Sequence, residues 1–161
     1  HLNDLILALK GLSYEGKASV RKNLAQLEHA TFFYLKAMVD EERTDQEVLF
    51  PYVQERVPHF GSFIYLLESG YREIHWNLQR VSRLIQDKDN ISQASLLEIQ
   101  QRGTYLLGLL KTQWDTKKSL WRIVKERSSQ RQFCSLNAAL VKWFTRRCNT
   151  GRSAFSHSKK S

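Results

Sequence analysis

Glu41-Glu42-Arg43-Thr44-Asp45-Gln46-Glu47-Val48-Leu49-Phe50-Pro51 is a run of carboxylates that leads straight into an apolar stop. On a helix, Glu41 and Asp45 lie four residues apart and share a face. Val48 and Leu49 continue close to that face, toward a core. A carboxylate aimed at a core is costly unless a positive group meets it. A metal ion, a histidine or a lysine can fill that role, and choosing among them is the functional problem this chain sets.

Outward from this stretch the pattern is helical throughout. Leu2, Leu5, Ile6, Leu9 and Leu12 repeat at helical spacing and mark a short first helix, with a loop over Gly11–Gly16. The sequence opens at His1 inside that helix, as a fragment of a longer chain would. A long second helix is predicted from about Ala18 to Phe50, with Val20, Leu24, Leu27, Thr31, Tyr34, Leu35, Met38, Val39, Val48 and Leu49 as its apolar positions. Pro51 is expected to kink or end it, and Pro58 to stop what remains. The third helix is predicted from about Phe60 to Asp87, its inner face carrying Ile64, Leu67, Tyr71, Ile74, His75, Leu78, Val81 and Ile85. Asp87–Asn90 reads as a turn. Ser92 suits the N-cap of a fourth helix that runs to Arg127. A basic amphipathic helix is expected over Gln132–Arg147, and the last dozen residues, rich in Ser and Lys, are expected to be disordered.

The expected fold is all-α: an up-down-up-down four-helix bundle with a short basic C-terminal helix. The bundle occupies residues 1–128, and the basic helix and tail occupy 129–161. Such a topology gathers the start of the first helix, the end of the second, the start of the third and the end of the fourth. The polar residues that interrupt apolar faces fall at those places. They are His1, Glu41 with Asp45, Tyr71 with His75, and Gln113 with Lys117.

Val48-Leu49-Phe50-Pro51-Tyr52-Val53, His75 in its helical frame and Gln113-Trp114-Asp115-Thr116-Lys117 before Leu120-Trp121 resemble the hemerythrin-like (HHE cation-binding) family. The resemblance spans roughly residues 1–127 and implies a four-helix bundle with a non-haem iron centre at one end. It implies metal ligation by His1, Glu41, Asp45, Tyr71, His75 and Gln113. It implies sensing, storage or detoxification of iron, oxygen or nitric oxide. The ligand set departs from the family pattern. Glu41 and Gln113 stand in place of histidines, Asp45 in place of a glutamate, Tyr71 in place of a histidine and Lys117 in place of a glutamate. Two readings stay open. In one, Glu41, Asp45, His75 and His1 hold a single metal. In the other, the Lys117 ammonium replaces the metal.

Charge adds a second theme. Residues 1–100 hold 11 Lys/Arg against 14 Asp/Glu, and residues 101–161 hold 14 against 2. A basic C-terminal third points to an acidic partner: nucleic acid, anionic lipid or an acidic protein. Trp143 and Phe144 beside Arg146 and Arg147 pair aromatic with basic side chains, as such surfaces do.

No run of about 18 apolar residues predicts a membrane span. Cys134 and Cys148 form no disulfide framework, and reduced thiols in the cytoplasm are expected. A secreted, cytokine-like bundle with a Cys134–Cys148 bridge is the third reading. There is no glycine-rich phosphate loop, nucleophile elbow or HExxH helix, so an enzyme is not expected. His29 has no partner at ligand spacing, His59 beside Pro58 is expected to cap the turn or face solvent, His157 lies in the tail, and Trp76, Trp114 and Trp121 are expected to pack.

Overall fold

The computed structural model describes residues 6–9, 17–86 and 91–156. Residues 6–9 are helical. The elements that follow are α1 (Lys17–Thr44), a π-helical turn (Asp45–Leu49), α2 (Phe50–Arg56), a 3-10 turn (Pro58–Phe60), α3 (Gly61–Gln86), α4 (Gln93–Arg127) and α5 (Gln130–Ser156). Among the described residues there is no strand, and no helix is long and apolar enough to cross a membrane.

The helix ends follow local chemistry. Ser92 caps α4, its hydroxyl accepting from the Ser95 N–H at 3.1 Å. At Ser128 the backbone turns extended and α4 stops. One residue later a capping box starts α5. Ser129 Oγ accepts from the Gln132 N–H at 3.3 Å, and Gln132 Oε1 accepts from the Ser129 N–H at 2.9 Å. Each side chain satisfies a donor that the helix start would leave bare.

Pro51 does not end the predicted second helix, which continues to Arg56. A proline lacks the N–H that would bond four residues back, and its ring crowds the carbonyl there, here that of Glu47. The chain widens into a π turn just before it, where the Phe50 N–H reaches the Asp45 carbonyl. The wider turn takes up the strain and buries both Asp45 and Leu49. The helix resumes as α2 and stops at Arg56, where Val57 leaves the helical region ahead of Pro58.

α1 packs on α3, and α3 packs on α4. Both pairs are antiparallel. Asp45 meets Tyr71 while Glu42 meets His75, and Gln113 meets Leu67 while Glu98 meets Arg80. Two apolar clusters form along these helices. One gathers Leu49, Phe50, Val53, Leu67, Tyr71, Ile74, Leu120, Val124 and Leu136. The other gathers Ala8, Leu9, Leu24, Leu27, Ala30, Val81, Ile85 and Ile99. Tyr34 and Leu110 border both. Each fully buried leucine or isoleucine contributes about 1.5–3 kcal/mol. Gly103 lets the 6–9 segment lie directly on α4, because a Cβ there would stand 2.3 Å from Leu9 Cδ2.

α5 crosses the other end. Tyr52 and Ser128 share a hydrogen bond of 2.7 Å, Phe133 meets Trp121 edge-on, and Leu136 is buried. Trp143 then reaches the π turn, its indole N–H donating to Glu47 Oε2 at 2.6 Å. The helix runs on to Ser156, well past the expected end at Arg147. The expected disordered tail is thus helical through 156, since no proline and only Gly151 interrupt this stretch. Residues 157–161 lie outside the described set. Cys134 is exposed and free. On one continuous helix, positions 134 and 148 stand about 21 Å apart along the axis, far beyond disulfide reach.

Candidate functional site

α1 and the π turn supply Glu41 and Asp45, α3 supplies Tyr71, and α4 supplies Gln113 and Lys117. These five residues converge. Lys117 Nζ lies 2.7 Å from Glu41 Oε1 and 3.0 Å from Asp45 Oδ1. The Tyr71 hydroxyl donates to the other oxygen, Asp45 Oδ2, at 2.6 Å. Both carboxylate oxygens of Asp45 therefore have a partner. Asp45 and Tyr71 are buried at 2% and 0% exposure, while the Glu41 side chain keeps 32% of its surface in solvent. The cluster thus grades from a dry inner end to a wet outer one.

Gln113 completes the inner end. Its Nε2 donates to the Leu67 carbonyl at 3.0 Å. Its Oε1 lies 2.0 Å from where a Cβ of residue 70 would stand, so any larger residue there would displace the Gln113 amide. Helix α3 opens by one missing side chain so that Gln113 can enter. An isolated glycine inside a helical pattern was the available sequence signal for this cradle.

Burial dominates the titration of Asp45. It pushes the carboxyl above its ordinary range, against the opposing pull of Lys117 and the Tyr71 hydrogen bond. Tyr71 is pushed well above the usual phenol range, by burial first and by the Asp45 charge second. The phenol therefore stays protonated and donates to Asp45.

The other expected site residues fall elsewhere. His75 turns away from Asp45, with its Nδ1 3.6 Å from Glu42 Oε2. Neighbouring carboxylates 41 and 42 point 100° apart on the helix, so one meets α4 and the other meets α3. His1 lies outside the described residues. Trp76, Trp114 and Val39 are 59%, 68% and 47% exposed, and so are not packed as expected. Arg102 covers the Trp76 ring at 4.9 Å. Trp121 does pack, against Phe133.

This donor set does not fit an iron centre. No three His, Cys, Asp or Glu side chains gather at ligating distance among the described residues. An ammonium already stands between the two carboxylates. A metal beside it would meet a repulsion on the order of 4 kcal/mol per unit of metal charge, at 4 Å and an effective dielectric near 20. Comparison with known proteins finds no family model, no curated protein and no solved structure that matches this chain.

Proposed function

We propose that this chain is a hemerythrin-like, up-down-up-down four-helix bundle in which the Lys117 ammonium has taken the place of the metal, and that it works as a cytoplasmic interaction module and not as an enzyme or an iron carrier. The observation that carries this reading is the contact of Lys117 with both Glu41 and Asp45 at 2.7 and 3.0 Å. A half-buried cation supplies the charge those carboxylates require without a bound ion. The antiparallel α1–α3 and α3–α4 pairs, and the 6–9 segment seated on Gly103, support the bundle arrangement. With no metal chemistry in the core, function moves to the surface, where the basic C-terminal third recognises an acidic partner.

The test is anaerobic loading with ferrous iron, desalting and elemental analysis. The expected result is no retained iron in the natural chain and a measurable gain in Lys117→Glu, which returns a carboxylate to the site. Near-stoichiometric iron in the natural chain, lost on Glu41→Ala or Asp45→Ala, would establish the iron-binding reading instead. Reactivity with oxygen and nitric oxide would then follow as the next measurement.

A further inference from the structure

A groove of about 600 Å³ lies between α4 and the start of α5. Lys118, Arg122 and Lys125 line one wall, Trp121 and Phe133 form an apolar floor, and Asp115 stands in its lining as well. The three cations sit at i, i+4 and i+7, so they share one helix face over about 10 Å. All three are exposed. None forms an ion pair among the described residues, whereas Arg43, Arg56, Arg80, Arg102 and Lys117 each have an acidic partner. A row of unneutralised cations above an aromatic floor combines charge attraction with an anchor pocket.

We infer that this groove docks an acidic segment of a partner protein, with one apolar side chain resting on the Trp121–Phe133 pair and carboxylates on Lys118, Arg122 and Lys125. The inference rests on the interaction-module reading and gives it a place and a partner chemistry. Charge and shape select a peptide over other polyanions. Duplex DNA carries one negative charge per about 1.7 Å, roughly six over the length of this row, against three cations. A rigid duplex or a bilayer also cannot lower apolar groups onto a concave floor. A peptide brings carboxylates and one apolar side chain at adjustable spacing.

The experiment is isothermal titration of the full chain with a synthetic 14-residue glutamate peptide carrying one central leucine. The same peptide with serine for leucine, a 14-nucleotide single strand of DNA and phosphatidylserine vesicles serve as comparison probes. The leucine peptide is expected to bind, more weakly as salt rises. Its affinity should fall about tenfold or more in Arg122→Glu/Lys125→Glu. The charge-matched Lys111→Glu/Lys142→Glu variant, altered at exposed positions outside the groove, should bind within about twofold of the natural chain, as rim charges far from a contact do. The serine peptide should bind about tenfold more weakly, through loss of the anchor. Equal weakening by both charge variants, equal binding of the two peptides, or no peptide binding at millimolar concentration would overturn the groove. Tighter binding of the oligonucleotide or the vesicles would overturn the peptide but leave an interaction module standing. Iron retention is measured separately, so failure of the underlying reading is recognised by its own result.

Discussion

Among the described residues, two charge triads have opposite designs. In one, a single cation, Lys117, stands between two carboxylates, Glu41 and Asp45. In the other, a single carboxylate, Glu98, stands between two guanidinium groups, Arg80 at 3.0 Å and Arg102 at 2.7 Å. The distances are alike, and the surroundings are not. The Asp45 side chain is 3% exposed and that of Lys117 15%, against 44% for Arg80. At the exposed triad the partners win outright: hydrogen bonds from Arg80 and Arg102 hold Glu98 below the usual carboxylate range. At the inner triad burial wins, and Asp45 rises above that range despite a lysine at 3.0 Å. Proximity of opposite charge therefore does not by itself say what a pair is worth. Water decides it.

Removing the central group of each triad separates the two most sharply. Lys117→Met should lower stability at pH 7 by about 3–5 kcal/mol, because it leaves a buried carboxylate uncompensated. Urea unfolding reads this directly. The deficit should depend on pH with a defined sign. Asp45 titrates higher in the fold than its ordinary value of 3.8, and higher still without Lys117. Above the raised folded value the full deficit is present. As pH falls through that value toward 3.8, the folded carboxyl takes up its proton and the deficit shrinks. A deficit as large near pH 4 as at pH 7 would show that Lys117 does not act through the charge of Asp45.

Gly70→Ala should cost about 1 kcal/mol net, even though alanine is the better helix former by about that amount. The new Cβ displaces Gln113 from the Leu67 carbonyl. In a Gln113→Ala background the same substitution should become stabilising, and a double-mutant cycle measures the difference. Thr31→Val should gain about 1 kcal/mol, since the buried Thr31 hydroxyl has no hydrogen-bond partner among the described residues and an apolar isostere removes that penalty. The smallest effect belongs to the outer triad. Glu98→Gln should leave the unfolding midpoint unchanged within error, and added salt should erase whatever difference appears at low ionic strength. A clear loss at Glu98 would erase the contrast between the triads.

Much of this was legible in the residues. Ser92 announced its helix, Arg127 closed it, and Pro58 stopped α2, each through local chemistry that a sequence displays. The i, i+4 carboxylates 41 and 45 demanded a positive group, and Lys117 stands where one of the two readings put it. What the sequence withheld depends on neighbours. A helical wheel says that Tyr71 and His75 lie near one face, but not that Tyr71 meets the π turn while His75 meets Glu42. It assumes 100° per residue, and so it cannot show a π turn absorbing Pro51. Trp76 and Trp114 are large and apolar in name, yet each lies one position from a buried residue, Asn77 or Gln113, on a flank that packing left open. The helical run of α5 to Ser156 was hidden by a Ser- and Lys-rich composition that resembles a tail.

The contact of Trp143 with Glu47 also gives the molecule an optical handle. The chain contains four tryptophans, and the other three occupy different settings: Trp76 under a guanidinium, Trp114 in solvent and Trp121 edge-on to a phenyl ring. With those three changed to phenylalanine, and excitation kept to wavelengths that the six tyrosines do not absorb, the remaining indole sits at the junction of α5 and the π turn and emits from there alone. Its fluorescence would follow the seating of the C-terminal helix in real time, without a label, while the rest of the fold stays dark.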